Sequence, residues 1–236
     1  MFRFKQFSVA HDRCAMKVGT DGVLLGVWAD IAAAQHLLDI GTGTGLIALM
    51  LAQRSAQTVQ IDAIDIAADA AEQARQNIAR SPWANRINIA HCALQHYTPT
   101  TRYDHIVSNP PFFRAALLSA QATRNTARHD TDLSFETLLH HAARLLLPQG
   151  RLSVILPHEC RQLFAQLAAI EQLYICRQTD IAAYPHKKPK RVLLELRSST
   201  QSTKYDHDIL YIYQHKGTKE YSTNYHQLTN EFYWQG

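Results

Sequence analysis

The chain has 236 residues, of which 46% are hydrophobic and 19% are charged, a composition typical of a folded globular protein. Its apolar runs are shorter than the roughly 20 residues of a membrane helix, and no signal peptide opens the chain. The four cysteines are widely spaced and include no Cys-x-x-Cys, so they imply neither a disulfide framework nor a zinc site. The net charge of +4 only weakly favours a polyanionic partner. We therefore expect a cytoplasmic protein with no membrane span and no metal.

Short apolar runs alternate with segments of helical periodicity, which predicts βαβ units and a doubly wound, mostly parallel sheet of the α/β class. In chain order, the predicted helices are residues 17–28, 45–54, 67–80, 134–147 and 158–170. The predicted strands are residues 37–40, 59–64, 87–90, 103–108, 151–156, 173–182 and 191–197. Residues 113–131 are predicted as a loop over the site. Near the end of the chain we assign a strand to residues 208–213 and a helix to residues 225–233.

A glycine-rich loop follows the first predicted strand, where residues 37–45 read Leu-Leu-Asp-Ile-Gly-Thr-Gly-Thr-Gly. Ligands of open parallel sheets bind at the carboxyl ends of the strands, and glycine lets the backbone approach them closely. A dinucleotide is the alternative ligand, but its G-x-G-x-x-G motif requires glycine or alanine where Leu46 stands. Asp39 would repel a phosphate and attract an amino group, which favours S-adenosylmethionine because that cofactor has an amino group and no phosphate. The residues that we assign to its binding in this loop are Asp39, Gly41, Thr42, Gly43 and Gly45.

An acidic residue at the end of the second strand is expected to bind the ribose of the cofactor. Asp65 follows Gly45 by twenty residues, and an acidic residue in a similar position accepts hydrogen bonds from the ribose in dinucleotide-binding folds. Asp62 is the alternative, although it lies within the strand pattern. Ile66 is expected to pack on the adenine ring of the cofactor.

The tetrapeptide Asn-Pro-Pro-Phe, residues 109–112, follows the fourth predicted strand. A proline-rich turn without a function is the alternative, and the glycine loop ahead of it favours a catalytic role. An exocyclic amine has two N–H bonds, which the Asn109 side-chain oxygen and the Pro110 carbonyl can accept. The fixed φ of Pro110 and Pro111 aims that carbonyl before a substrate arrives. Phe112 offers a ring on which a base can stack.

Two basic stretches are candidates for binding a nucleic acid, and a solvated surface is the alternative for each. The first consists of Lys187, Lys188, Lys190 and Arg191. The second consists of Arg114, Arg124 and Arg128.

With these motifs in place, residues 17–197 resemble the class I S-adenosylmethionine-dependent methyltransferases. Residues 17–26 (Lys-Val-Gly-Thr-Asp-Gly-Val-Leu-Leu-Gly), 107–113 and 190–195 are similar to the bacterial tRNA adenine N6-methyltransferases that act on position 37 of a valine tRNA. Residues 221–233 resemble the C-terminus of that family. The resemblance implies that Thr20 and Asp21 lie beside the cofactor pocket and that residues 109–112 are catalytic.

The resemblance also implies a fold and a substrate. We expect a Rossmann-like sheet of seven strands with one antiparallel edge strand, and a monomer that binds the anticodon loop of tRNA. Residues 1–36 would be an N-terminal extension packed on the cofactor pocket, residues 37–197 the catalytic domain and residues 198–236 a C-terminal extension of the same domain.

One position departs from the family pattern. After the third strand many relatives have an acid that receives the adenine amine of the cofactor, and this chain has His-Cys-Ala-Leu at residues 91–94. Because Ala93 has no acceptor, we expect backbone groups near Cys92 and Ala93 to replace it.

Three alternative functions differ in substrate or chemistry. Methylation of a release-factor glutamine uses a similar Asn-Pro-Pro motif, but those enzymes typically have a separate N-terminal domain, which the short stretch ahead of the first strand disfavours. Methylation of ribosomal RNA stays open. A binding module without catalysis is disfavoured by the intact Asn109 and Phe112.

Overall fold

A mixed sheet of eight strands forms the centre of the computed structural model, which describes residues 1–14, 17–111, 133–198 and 205–234. A two-stranded N-terminal hairpin forms a second, small sheet. The strands are β1 (Phe2–Arg3), β2 (Ser8–Val9), β3 (His36–Ile40), β4 (Gln60–Asp65), β5 (Ile87–His91), β6 (Tyr103–Ser108), β7 (Leu146–Pro157), β8 (Tyr174–Ala182), β9 (Arg191–Arg197) and β10 (Asp206–Tyr211). The α-helices within these ranges are α1 (Thr20–Trp28), α2 (Leu46–Arg54), α3 (Ala68–Ala79), α4 (Phe135–Leu145), α5 (Arg161–Ile170) and α6 (Thr223–Thr229).

The strand order of the large sheet is β10-β8-β9-β7-β6-β3-β4-β5. From β3 the chain winds outward through β4 to β5 and then returns to β6 on the other side of β3. Neighbouring strands pair in parallel except β9, which is antiparallel to both β7 and β8. The predicted α/β, doubly wound, mostly parallel sheet is therefore confirmed, and its switch point lies between β3 and β6.

Two features of the sheet topology differ from the prediction. The sheet has eight strands instead of seven, because the segment predicted as a strand at residues 208–213 forms β10 and pairs with β8. The antiparallel strand is β9, and it lies between β7 and β8 instead of at the edge. Its direction follows from the short connection at residues 183–190, which permits a hairpin but is too short for a parallel crossover.

Apolar side chains cover both faces of the sheet. Leu37 and Leu38 are consecutive on β3 and belong to different hydrophobic clusters, because neighbouring side chains of a strand point to opposite faces. One cluster packs α1, α2 and α3 against the sheet, and the other packs α4 and α5. Coverage on both faces explains why the central strands read as continuous apolar runs.

Helix α4 begins as predicted and ends earlier than predicted. The Ser134 side chain accepts a hydrogen bond from the Thr137 backbone N–H at 3.1 Å, which caps the helix. The helix ends at Leu145 instead of residue 147, because Leu146 already pairs with Tyr103 of β6 and is buried. Pairing with a distant strand therefore ends the helix before Pro148, the residue that could not continue it.

The two ends of the chain pack against each other. The Phe4 and Phe7 rings stack with centroids 4.7 Å apart, and the Phe232 ring meets Phe4 edge-on at 6.4 Å. The Lys5 backbone N–H donates to the Phe232 carbonyl at 2.9 Å. The boundaries at residues 36 and 197 stay a prediction, and this packing favours a single domain. Within the described ranges, no helix is both long enough and apolar enough to span a membrane.

Candidate active site

The carboxyl ends of four strands meet at one edge of the sheet. Their register places Ser108, Ile40, Ile64 and Ala90 side by side in a row across β6, β3, β4 and β5. The residues that directly follow this row are Asn109, Gly41, Asp65 and His91. Parallel pairing therefore brings the glycine loop, the ribose-binding candidate and the Asn-Pro-Pro motif to one place.

A cavity of about 520 Å³ lies at this edge, between the loops after β3, β4 and β6 and the start of α1. The predicted site residues that line it are Thr20, Asp21, Gly41, Thr42, Gly43, Asp65, Ile66, Cys92, Asn109 and Pro111. Asp39, Gly45, Ala93 and Pro110 are not among its lining residues. Gly43 and Asn109 thus border one cavity, as the predicted reaction requires.

The glycine loop is tied to β4 and leaves space on its cavity side. The N–H groups of Gly41 and Thr42 both donate to the Ile64 carbonyl, at 2.9 and 3.0 Å. Gly43 has a φ of +56°, and a Cβ atom at this position would meet no atom within 4 Å. At Gly45 a Cβ atom would lie 3.3 Å from the Ala74 Cβ, so that glycine permits close packing of α3. The first glycines make room for a ligand, and the last one makes room for a helix.

Asp39 lies beneath the loop, fully buried, and does not reach the cavity. Its Oδ2 accepts hydrogen bonds from the Thr42 hydroxyl at 2.7 Å and from the Ala48 N–H at 3.2 Å. Its Oδ1 is buried and has no hydrogen-bond partner among the described residues. Burial raises the pKa of Asp39 to about 7. Asp39 therefore supports the loop from below and changes charge near neutral pH.

Of the two ribose-binding candidates, Asp65 is the one that lines the cavity. Its Oδ2 accepts from the Gly43 N–H at 2.8 Å and its Oδ1 accepts from the Ala67 N–H at 2.9 Å, which fixes the carboxylate at the end of β4. The alternative, Asp62, accepts a hydrogen bond from the Tyr103 hydroxyl at 2.7 Å and does not line the cavity. Each Asp65 oxygen has a second lone pair for a ligand hydroxyl.

Asn109 follows the last residue of β6, and its side-chain oxygen accepts no hydrogen bond from the described residues. Its Oδ1 is buried and has no hydrogen-bond partner within the described part of the chain. The Ser108 hydroxyl donates to the Ile40 carbonyl at 2.9 Å, which holds this strand end against β3. Pro110 is buried and Pro111 lines the cavity, whereas Phe112 lies outside the described residues. A buried oxygen of this kind is suited to receive an N–H group of a ligand.

The segment after β5 supplies a polar side chain that the sequence analysis missed. Ala93 precedes a 3-10 turn at Leu94–His96 and does not line the cavity, whereas Leu94 and Gln95 do. The Cys92 N–H donates to the Asp65 carbonyl at 3.0 Å and is thereby occupied. Gln95 therefore borders the cavity two residues after Ala93, the position at which the family resemblance implies an acid. The only signal for it in the sequence was its nearness to the strand end.

The N-terminal segment also contributes unexpected cavity residues, Cys14 and Lys17. Burial is the main reason that the pKa of the Cys14 thiol is raised to about 11, with nearby carboxylates adding to the effect. A pKa in that range keeps the thiol protonated at neutral pH. Lys17 is the first residue of the motif at residues 17–26, so the sequence did contain a signal that this residue lies near the cavity.

The first basic stretch forms the turn between β8 and β9, and Lys187, Lys188 and Lys190 are exposed there. Arg191 behaves differently, because its Nε donates to the Asp21 carboxylate at 2.8 Å. Asp21 lines the cavity, so this ion pair joins the basic turn to the cavity rim. The second stretch, Arg114, Arg124 and Arg128, lies outside the described residues, as does most of the loop predicted at residues 113–131. No cluster of three or more His, Cys, Asp or Glu residues suited to a metal occurs in the described ranges.

Comparison with known proteins agrees with this arrangement. A family model described as "Methyltransferase small domain" matches residues 16–175. The solved structure of a predicted O-methyltransferase from Agrobacterium tumefaciens superposes with a TM-score of 0.68, covering 90% of this chain and 96% of that one. Its 18% sequence identity shows a shared fold alone.

Full-length relatives are much more similar in sequence. A protein of Phocaeicola vulgatus named tRNA1(Val) (adenine(37)-N6)-methyltransferase is 49% identical, over 98% of this chain and 97% of its own length. A protein of Cronobacter sakazakii with the same name is 47% identical, over 98% of this chain and 94% of its own length. With this identity along nearly the whole length, the chain belongs to the family of tRNA1(Val) (adenine(37)-N6)-methyltransferases.

Proposed function

We propose that this protein transfers a methyl group from S-adenosylmethionine to the exocyclic N6 of adenine 37 in the anticodon loop of a valine tRNA. The names of relatives 44–49% identical support the substrate. The observation that carries the chemistry is the buried Oδ1 of Asn109, which no donor in the described ranges reaches, in a residue that borders the same cavity as the glycine loop.

The cavity suits S-adenosylmethionine in size and in polarity. Its volume of about 520 Å³ is within the range of small-molecule sites. Asp65 offers two fixed carboxylate oxygens to ribose hydroxyls, and exposed Ile66 offers an apolar surface to an adenine ring. Gln95 replaces the missing acid as a polar partner for the adenine edge. When bound, S-adenosylmethionine supplies a methyl group attached to a positively charged sulfur.

The residues after β6 orient the target amine. Its two N–H bonds fit two acceptors, the Asn109 side-chain oxygen and the Pro110 carbonyl, which holds the nitrogen lone pair toward the cavity. The φ angles of Pro110 and Pro111 are restricted, so this arrangement exists before the substrate binds. Phe112 is proposed to stack on the target base. Both acceptors are neutral, so positioning rather than a strong base supplies most of the rate.

The described part of the proposed tRNA-binding surface, at residues 187–191, lies at the same edge of the sheet as the cavity. An anticodon loop displays unpaired bases, so moving one into a pocket costs less than opening a duplex. Lys187, Lys188 and Lys190 form an exposed turn that is joined to the cavity rim through Arg191 and Asp21, a position suited to phosphate contacts. Arg114, Arg124 and Arg128 are proposed as further phosphate contacts. We further propose that the enzyme is a monomer and that it acts in the cytoplasm, where its tRNA substrate is found.

A transfer assay with defined substrates tests the proposal. The purified protein is incubated with labelled S-adenosylmethionine and an unmodified transcript of valine tRNA, and the nucleosides are then identified by mass spectrometry. We expect N6-methyladenosine in this transcript and none in a matched transcript with guanosine at position 37. Label that enters ribosomal RNA or a release factor and not the tRNA rejects the proposed substrate.

A further inference from the structure

Helix α3 carries two buried amide side chains that the proposed reaction does not use. Gln73 and Asn77 are each only 2% exposed, and they lie four residues apart on the same face of the helix. Amide groups withdrawn from water require hydrogen-bond partners, so their partners show what this face holds in place.

Asn77 joins two segments that are distant in sequence. Its Oδ1 accepts from the Ala10 backbone N–H and its Nδ2 donates to the Ala10 carbonyl, both at 2.9 Å. The same Nδ2 donates to the Thr44 carbonyl at 2.9 Å, and Thr44 lies between two glycines of the loop. One side chain thus connects the N-terminal segment to the glycine loop.

Gln73 holds the same N-terminal segment one turn earlier on α3. Its Oε1 accepts from the Arg13 N–H at 2.9 Å, and the next residue, Cys14, lines the cavity. Helix α3 also limits the loop directly, because a Cβ atom at Gly45 would lie 3.3 Å from Ala74. Two walls of the cavity therefore take their positions from one helix that does not itself line it.

We propose that Asn77 is a positioning residue for the cofactor site, with Gln73 in support. Asn77 holds the glycine loop and residues 10–14 in the arrangement that binds S-adenosylmethionine. Glycines adopt many backbone conformations, so a loop with three of them pays less entropy on binding when a carbonyl within it is already fixed. The ligand identity rests on the proposed function, and the role in positioning rests on the hydrogen bonds.

The test is a binding measurement on the full-length protein by titration calorimetry, with S-adenosylhomocysteine as the probe. We expect Asn77→Ala to raise the Kd about tenfold, the effect of losing one or two net hydrogen bonds. The kcat of tRNA methylation at saturating S-adenosylmethionine should change less than twofold. Gln76→Ala on the same helix is the matched control, because its side chain bonds only to exposed Glu72 in the described residues, and its Kd should equal that of the parent.

A lower melting temperature with an unchanged Kd means that Asn77 only stabilises the fold, and this outcome overturns the inference. If Asn77→Ala does not fold, Gln73→Ala tests the same idea with the loss of one hydrogen bond among the described residues, and an unchanged Kd again overturns it. Hydrogen exchange adds an independent readout, since Asn77→Ala should speed exchange of the Ala10 amide. If the parent itself does not bind S-adenosylhomocysteine, the proposed function has failed and not the positioning role alone.

Discussion

At the scale of single residues, the site depends on two buried oxygens that have no donor among the described residues, Asn109 Oδ1 and Asp39 Oδ1. Asp39 belongs to β3 and Asn109 directly follows the adjacent strand β6, so both lie close to the same edge of the sheet. A buried polar atom without a hydrogen-bond partner destabilises a fold, so such an atom is best tolerated where a bound ligand supplies the missing hydrogen bond. Asn109 borders the cavity, whereas Asp39 lies below the loop, and the two are expected to act differently.

Asn109→Ala removes the proposed acceptor for the target amine. We expect the kcat/KM for tRNA to fall at least about a hundredfold, by analogy with the loss of one oriented hydrogen-bonding group in other active sites. The Kd for S-adenosylhomocysteine should change little because Gly43 and Asp65 are intact. Asn85→Ala, which alters an exposed asparagine, is the control. Equal activity of Asn109→Ala and the parent would rule out the proposed mechanism.

Asp39→Asn tests the consequence of a pKa raised to about 7 by burial. The pKa is higher in the folded chain than in the unfolded chain, so the protein loses stability as the pH rises from about 4 to 7. Asparagine does not ionise, so the variant lacks this loss. Thermal melts of the cofactor-free proteins should show a larger advantage for Asp39→Asn over the parent at pH 8 than at pH 5. An advantage that is the same at both pH values contradicts the shifted pKa.

At the scale of elements, the turn between β8 and β9 places three exposed lysines at the carboxyl edge of the sheet. Because β9 runs antiparallel, its first residue lies at the same edge as the cavity, and Arg191 pairs there with Asp21. The hairpin connects two interior strands of the sheet, and it thereby fixes the position of the three lysines that are candidates for binding a nucleic acid.

Replacement of Lys187, Lys188 and Lys190 by alanine should weaken tRNA binding and flatten its salt dependence. Each lost phosphate contact reduces the slope of log K against log salt by about 0.7–0.9. Binding titrations at several salt concentrations measure this slope. The control variant replaces Arg80 and Arg102, which are exposed where α3 ends and just before β6 begins, at the opposite edge of the sheet. If the slopes of both variants equal that of the parent, the turn does not contact tRNA.

At the scale of the whole molecule, the N-terminal and C-terminal segments are held together at a distance from the cavity by aromatic packing. Phe232 is 1% exposed and lies against the rings of Phe4 and Phe7. The N-terminal segment then continues to Ala10 and Cys14 beside the glycine loop. The packing of the two chain ends therefore helps to hold the N-terminal segment, which forms part of the cavity wall.

Phe232→Ala should lower the free energy of unfolding by about 3–5 kcal/mol, the usual effect of removing a buried aromatic ring. Urea denaturation measures this quantity. Trp234→Ala two residues later is the control, because that side chain is 68% exposed, and its effect should stay within about 0.5 kcal/mol. If Phe232→Ala changes the free energy of unfolding as little as Trp234→Ala does, the C-terminal segment does not support the fold.

Local patterns in the sequence determined the order of strands and helices and the position of the site along the chain. Alternating apolar runs predict the βαβ units, and the glycine loop and the Asn-Pro-Pro motif each stand directly after a predicted strand. Parallel pairing brings such strand ends to a single edge. The cavity between Gly43 and Asn109 was therefore predictable from spacing and chemistry.

Only the tertiary structure decided which side chains face that cavity and what supports them. Asp62 and Asp65 are only three residues apart in sequence. Asp62 accepts a hydrogen bond from Tyr103 on another strand, whereas Asp65 lines the cavity. Arg191 meets Asp21, and Asn77 meets Ala10 and Thr44, through contacts that span 33 to 170 residues of sequence. Periodicity describes the face of a single element, whereas these contacts depend on how distant elements are packed together. For that physical reason the sequence located the site, and the packed fold assembled it.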